Sequence, residues 1–136
     1  IPDNAAEDSF SFLPCLQGAK KPVRPFTIHH SISGVFAIRK GDWKLILNKG
    51  AGGGWGGSWE TTKTSAKVVQ LYHMKDDPGE TRNLEEVHPE VVTELVDDLA
   101  GAFRNGRTTP GIRQENEGWP FRDKTIQTKF PQLSGK

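Results

Sequence analysis

The stretch FTIHHSISGVFAIRKGDWKLILN, residues 26–48, decides the fold. Phe26, Ile28, His30 and Ile32 alternate with Thr27, His29 and Ser31, the period-two pattern of a half-buried strand. Ser33-Gly34 interrupts the pattern, and two further β-rich runs follow, residues 35–40 and 43–48. They are joined by Gly41-Asp42, and a two-residue link containing glycine predicts a tight hairpin. A strand, a break and a hairpin give three antiparallel strands.

Working outward, residues 67–74 read as a fourth strand, and Asp77-Pro78-Gly79-Glu80 reads as a turn. Proline favours the second position and glycine the third of a type II turn, so that type is expected. Pro89 suits the first position of a helix. Val91, Val92, Leu95, Val96, Leu99 and Phe103 then form an apolar stripe at helical spacing, and Asn105-Gly106 ends it. Before the strands, Asp8 is a candidate N-cap and Gly18 a candidate terminator for a short helix distorted by Pro14. Residues 20–25 read as an extended connector, and residues 49–64, rich in glycine, as a long loop. The expected fold class is α+β: a small antiparallel sheet of about four strands packed against one C-terminal helix, with long loops and an irregular tail. The chain divides into a lead-in with a short helix (1–25), the sheet–helix unit (26–106) and an irregular tail (107–136) in which Trp119 and Phe121 are candidate anchors.

Composition sets limits on this. With 136 residues the length suits one domain, and 18 Lys+Arg against 17 Asp+Glu leave a net charge of +1. That balance gives no reason to expect a nucleic-acid or anionic-membrane partner. No apolar run approaches the roughly 20 residues of a membrane-spanning helix. Fifteen glycines, nine prolines and a hydrophobic content of 34% predict a thin core that leans on a larger body. The chain starts with Ile1 rather than Met, which predicts a cut or processed piece. Cys15 is the one cysteine, so no disulfide forms within the chain.

Several stretches, in order, resemble the C-terminal part of the sulfatase family, especially bacterial enzymes of the arylsulfatase A and N-acetylgalactosamine-6-sulfatase type. They are Asp8-Ser9-Phe10-Ser11-Phe12-Leu13-Pro14, His29-His30-Ser31, Phe36-Ala37-Ile38-Arg39, Gly41-Asp42-Trp43-Lys44-Leu45 and Leu71-Tyr72. Asp76-Asp77-Pro78-Gly79-Glu80-Thr81-Arg82-Asn83-Leu84, His88-Pro89-Glu90-Val91 and Asn105-Gly106-Arg107-Thr108-Thr109-Pro110-Gly111 complete the set over residues 8–111. The resemblance implies a small subdomain, a four-stranded antiparallel sheet with a helix, that follows a large catalytic domain. In that family the large domain carries a formylglycine made within a Cys-x-Pro-Ser-Arg motif, a calcium site, and the Lys and His residues that hold sulfate. Cys15 lies in Leu13-Pro14-Cys15-Leu16-Gln17-Gly18, which lacks the Pro-Ser-Arg portion. The resemblance thus implies a parent that hydrolyses sulfate esters of a small molecule or glycan. It also implies a chain that is inactive alone, whose partner is the N-terminal catalytic domain, and a periplasmic or extracellular setting.

The candidate contact residues have competing explanations. Adjacent strand residues point to opposite faces, so His29 and His30 cannot ligate one metal as a pair without distortion. His30 shares a face with Phe26, Ile28 and Ile32, which suits a hydrogen-bonded core histidine; the resemblance implies instead that one of the two imidazoles donates to a substrate. Arg39 offers a planar fork for an oxyanion. Arg39, Lys40 and Lys44 equally suit the charged hairpin that keeps a sheet edge from aggregating. Gly52, Gly54 and Gly57 spell Gly-x-Gly-x-x-Gly, but no apolar helical period follows, so a dinucleotide site is not expected. Trp55 and Trp59 could stack on a sugar or aryl ring, or pin the loop. Asp76, Asp77, Glu80, Glu85 and Glu86 lack EF-hand spacing, and turn and helix-start chemistry account for them. His73 and His88 lack partners at zinc-ligand spacing, and His88 suits a helix cap. Two rival functions remain: a non-catalytic glycan-binding module using the tryptophans, and a structural interaction domain recruiting a partner through the open sheet face.

Overall fold

In the computed structural model, residues 5–32, 34–48 and 67–135 are described. A single helical turn, α1 (Leu13–Leu16), precedes four strands: β1 (Thr27–His30), β2 (Phe36–Lys40), β3 (Trp43–Ile46) and β4 (Gln70–His73). Helix α2 (Pro89–Asn105) and a short helix α3 (Lys124–Lys129) follow, and a 3₁₀ turn closes the chain at Pro131–Leu133. The sheet is antiparallel throughout, in the order β1-β2-β3-β4. This is the α+β arrangement expected from the pattern, with β1 and β4 shorter than expected at both ends, β2 at its start and β3 at its end. The run 49–64, with Trp55, Trp59 and the glycine triplet, lies outside the described residues.

Register explains the core. Ile28, Ile38, Leu45 and Leu71 stand opposite one another across all four strands. Ile38, Leu45 and Leu71 are fully buried, and they meet Val92, Leu95, Val96 and Leu99 of α2 in one cluster. Each such side chain contributes about 1.5–3 kcal/mol by leaving water. The opposite face carries Thr27, Arg39, Lys44 and Tyr72 in one row and His29, Ala37, Ile46 and Gln70 in the next. Arg39 and Lys44 are direct cross-strand partners, a like-charge contact relieved by the Lys44–Glu80 ion pair. Lys40 reaches across to α2, with Nζ at 2.7 Å from Glu94 and 2.8 Å from Asp98.

Four local expectations are corrected. Asp8 does not cap α1, whose N-cap is Phe12 with no side-chain bond; its Oδ1 instead accepts from Thr108 N and Oγ1 at 3.0 and 2.9 Å. The 77–80 turn is not type II, because the left-handed residue is Glu80 (φ 55°) and not Gly79. There the Asp77 carboxylate accepts from Thr81 N and Arg82 N, and these bonds, the Thr81 one first, hold it below the usual carboxylate range. His88 occupies the N-cap position of α2 but makes no capping side-chain bond. Ile32 belongs to no strand and is 80% exposed, because the chain turns after His30, with Gly34 N donating to Ser31 O.

The tail does more than hug the surface. Asp123 caps α3 by accepting from Thr125 N and Ile126 N. Phe121, Ile126, Phe130 and Leu133 are buried in the same cluster as the sheet and α2. Trp119 is half-buried beside them, its Nε1 donating to Leu133 O at 2.6 Å. A ring network of Phe36, Phe103, Phe121 and Trp119, with centroids 4.9–6.3 Å apart, closes that end of the core.

Candidate functional site

The edge strand β1, the C-terminal end of α2, the lead-in and the tail converge on a cleft of about 250 Å³. Phe26, Phe36 and Phe103 give it an apolar wall, and Arg24, His29 and His30 line it with polar groups. Each is placed by a different element. His29 and His30 end β1. Phe103 lies in the last turns of α2, which Gly106 terminates in the left-handed conformation (φ 62°). Arg24 lies in the connector of residues 20–25, its guanidinium 5.2 Å from the centre of the Phe10 ring.

The run after α2 is the brace of this cleft. Thr108 N and Thr109 N both donate to Glu7 O, and Thr109 Oγ1 donates to the same carbonyl at 2.7 Å. Buried Arg107 donates to Thr109 Oγ1 and, at 2.8 Å, to Ile112 O. A buried guanidinium that donates to its own loop at two points is structural there, since these donors serve the protein itself. Asn116 Nδ2 donates to Phe103 O, tying the tail to the helix end.

The two histidines differ, as the strand period requires. His30 stands on the α2 face opposite Phe36, with ring centres 5.5 Å apart, and its Nδ1 lies 2.9 Å from Ser31 O. It is exposed, so it is no core histidine. His29 lies on the other face, where partial burial first and Lys44 second push its pKa below the ordinary imidazole value. It therefore offers a neutral donor or a lone pair near pH 7, not a cation. Arg39 is on that same face, one row along, exposed and turned back so that its Nε meets Gly41 O at 3.5 Å. The structure thus gathers His29 and His30 at the cleft and leaves Arg39 apart from it; Trp55 and Trp59 lie outside the described residues.

Sequence reasoning missed Arg24, Phe103 and Asn116 as cleft residues. Arg24 sits between two prolines in a connector, Phe103 reads as one more residue of a core stripe, and Asn116 belongs to a segment without period. Nothing local marks any of them.

Chemically, the cleft can bind a small group that is part apolar and part anionic, with Arg24 as the cation and the imidazoles as donors. Its lining includes one hydroxyl held by a carboxylate, Thr108 Oγ1 on Asp8 Oδ1 at 2.9 Å, a contact that also ties the lead-in to the run after α2. Cys15 is exposed on α1, away from the cleft. No three His, Cys, Asp or Glu side chains among the described residues gather as metal ligands. These residues therefore do not fit either the formylglycine or the calcium that the resemblance implies for the catalytic domain. No helix among the described residues is long and apolar enough to cross a membrane.

No protein-family model matches the chain. It is 33% identical over 100 residues to an N-acetylgalactosamine-6-O-sulfatase of Bacteroides thetaiotaomicron, a match covering 73% of this chain and 19% of that protein. A solved structure of a sulfatase described with the metabolism of multiple glycosaminoglycans by the same bacterium superposes with a TM-score of 0.59. The superposition has 31% identity and covers 75% of this chain and 21% of that one. In sequence and in fold the chain matches a sulfatase C-terminal subdomain, and it spans about a fifth of the length of each of these relatives.

Proposed function

We propose that this chain serves as the C-terminal subdomain of a sulfatase, bracing a larger catalytic domain and lining one wall of its substrate cleft. The parent reaction is hydrolysis of a sulfate ester on a small molecule or glycan, with formylglycine and calcium supplied by the catalytic domain. His29 and His30 are the proposed substrate contacts, and Arg39, Trp55 and Trp59 are outlying ones. The observation that carries this reading is the 100-residue match to an N-acetylgalactosamine-6-O-sulfatase. The cleft at β1 supports the contact role, because it presents both imidazoles beside a cation and an aromatic wall.

The test is kinetic, on the parent protein. His29→Ala and His30→Ala are each made, and kcat/KM is measured on a sulfated substrate. A lost hydrogen bond that strengthens in the transition state lowers kcat/KM by about 10- to 100-fold. Unchanged kcat/KM in both variants would remove the substrate-contact role. Tight binding of sulfated and unsulfated sugars alike by the chain alone, followed by tryptophan fluorescence, would favour a glycan-binding module instead.

A further inference from the structure

Two guanidinium groups line the cleft, and they are used differently. Arg107 is buried and donates to Thr109 Oγ1 and Ile112 O. Arg24 is half-buried, and among the described residues it makes no hydrogen bond and no ion pair. Its contact is aromatic: the guanidinium carbon lies 5.2 Å from the centre of the Phe10 ring. A cation–π contact holds a guanidinium while leaving its N–H donors open. Pro25 restricts the backbone of Arg24 to extended conformations, so the side chain is presented from a stiff stem.

The carboxylate in the lining is engaged elsewhere. Asp8 Oδ1 accepts from Thr108 N at 3.0 Å and from Thr108 Oγ1 at 2.9 Å. A half-buried cation without a counter-charge has given up hydration and recovers it only when an anion arrives. A carboxylate or a sulfate suits it, since each can meet the planar fork with two oxygens. Phe26, Phe36 and Phe103 supply an apolar wall for the ring that bears such an anion. The cleft, about 250 Å³, is smaller than the roughly 300–1,000 Å³ of an ordinary ligand pocket, so it takes one substituted ring and not a long ligand.

We propose that Arg24 is a specificity-determining residue that reads a second anion on the substrate, a carboxylate or sulfate on the ring next to the one that bears the reacting ester. This rests on the reading of the chain as one wall of a sulfatase cleft. Under that reading the reacting ester sits against the nucleophile of the catalytic domain. Arg24 stands on the wall that this chain supplies, so the charge it meets is not the ester that opens. A forked, charge-assisted pair then favours doubly charged substrates over singly charged ones. Rejection works in the same direction, because a neutral ring in the cleft leaves the guanidinium desolvated and unpaired.

The test uses the parent protein and a set of disaccharides that share the sulfated sugar it hydrolyses. They differ in the second ring alone: a neutral hexose, the corresponding uronate, or the hexose bearing a sulfate. The ratio kcat/KM is measured for wild type, Arg24→Gln and Arg24→Lys. The wild type is expected to prefer at least one charged disaccharide over the neutral one, and Arg24→Gln to lower that preference about 10-fold or more. Arg24→Lys, which keeps the charge but not the fork, is expected to recover part of it. The arm that responds names the anion, carboxylate or sulfate. No preference in the wild type overturns the proposal, and so does an equal loss on all the substrates, the mark of a merely structural role. Arg24→Lys carries the comparison with wild type if Arg24→Gln does not fold. An unchanged preference in an active parent overturns the role of Arg24 and leaves the proposed function standing, whereas a parent that hydrolyses no sulfate ester removes both.

Discussion

At the residue scale, two glycines separate backbone strain from collision. Gly41 (φ 57°) and Gly106 (φ 62°) both sit in the left-handed region. A Cβ on Gly41 meets nothing within 4 Å, whereas one on Gly106 falls 2.3 Å from the carbonyl oxygen of Gln114, which is backbone and cannot swing aside. Gly41→Ala is therefore expected to cost about 1 kcal/mol, the strain alone. Gly106→Ala is expected to cost about 3 kcal/mol or more, measured by urea unfolding. Equal costs would mean that the tail does not pack against the helix end as described. His29 gives a second residue-scale prediction. Its pKa lies below the ordinary imidazole value of 6.5, through burial and then Lys44, so the folded chain favours the neutral ring. The stability that follows is complete above the unfolded pKa and is lost as pH falls from about 6.5 toward the lowered folded value. The stability advantage of the wild type over His29→Gln should shrink between pH 7.5 and pH 5.5. Screening at this exposed ring keeps the change under about 1 kcal/mol. Urea midpoints at the two pH values measure it.

At the element scale, legibility follows the strength of the repeating signal. Helix α2 was readable at both ends, because Pro89 pre-sets its first turn and Gly106 supplies the left-handed stop. The sheet was readable from its alternation and the Gly41-Asp42 link, but alternation alone carried β1 as far as Ile32. The chain turns after His30 because the Val35 carbonyl accepts from Ser31 N and opens a local turn, an arrangement that leaves no trace in the period. Helix α3 escaped notice because six residues with one buried apolar side chain, Ile126, form no stripe. Its one local signal is Asp123 at the N-cap. That short element nonetheless belongs to the core. Leu133→Ala is expected to destabilise the chain by about 2–4 kcal/mol, as for other fully enclosed leucines. Ending the chain after residue 118 removes Phe121, Ile126, Phe130 and Leu133 together and is expected to abolish the cooperative melt seen by circular dichroism. A truncated chain that melts as sharply as the full one would show the tail to be an accessory.

At the scale of the whole molecule, the site was less legible than the fold because its parts come from distant positions. Asp8 and Thr108, hydrogen-bonded to each other at the cleft, are 100 residues apart. The histidines stood out as residue types; their neighbours Arg24, Phe103 and Asn116 acquire meaning only when the lead-in, α2 and tail are folded together. The same assembly bears on what the proposed function expects of the chain by itself. Hydrolysis of a sulfate ester needs an activated nucleophile and charge stabilisation at the leaving oxygens, held in one geometry. The Thr108 hydroxyl is spent on Asp8, the Asn116 amide on Phe103 O, and the Arg107 donors on Thr109 and Ile112 O. Arg24 and the two imidazoles are cleft groups that can orient an anion, and under the proposed function the nucleophile comes from the catalytic domain. The chain alone, incubated with 4-nitrophenyl sulfate, is therefore expected to release no nitrophenol above a buffer blank at any pH between 5 and 8. Steady turnover that disappears in His29→Ala/His30→Ala would place the chemistry within this chain and contradict its reading as one wall of a larger site.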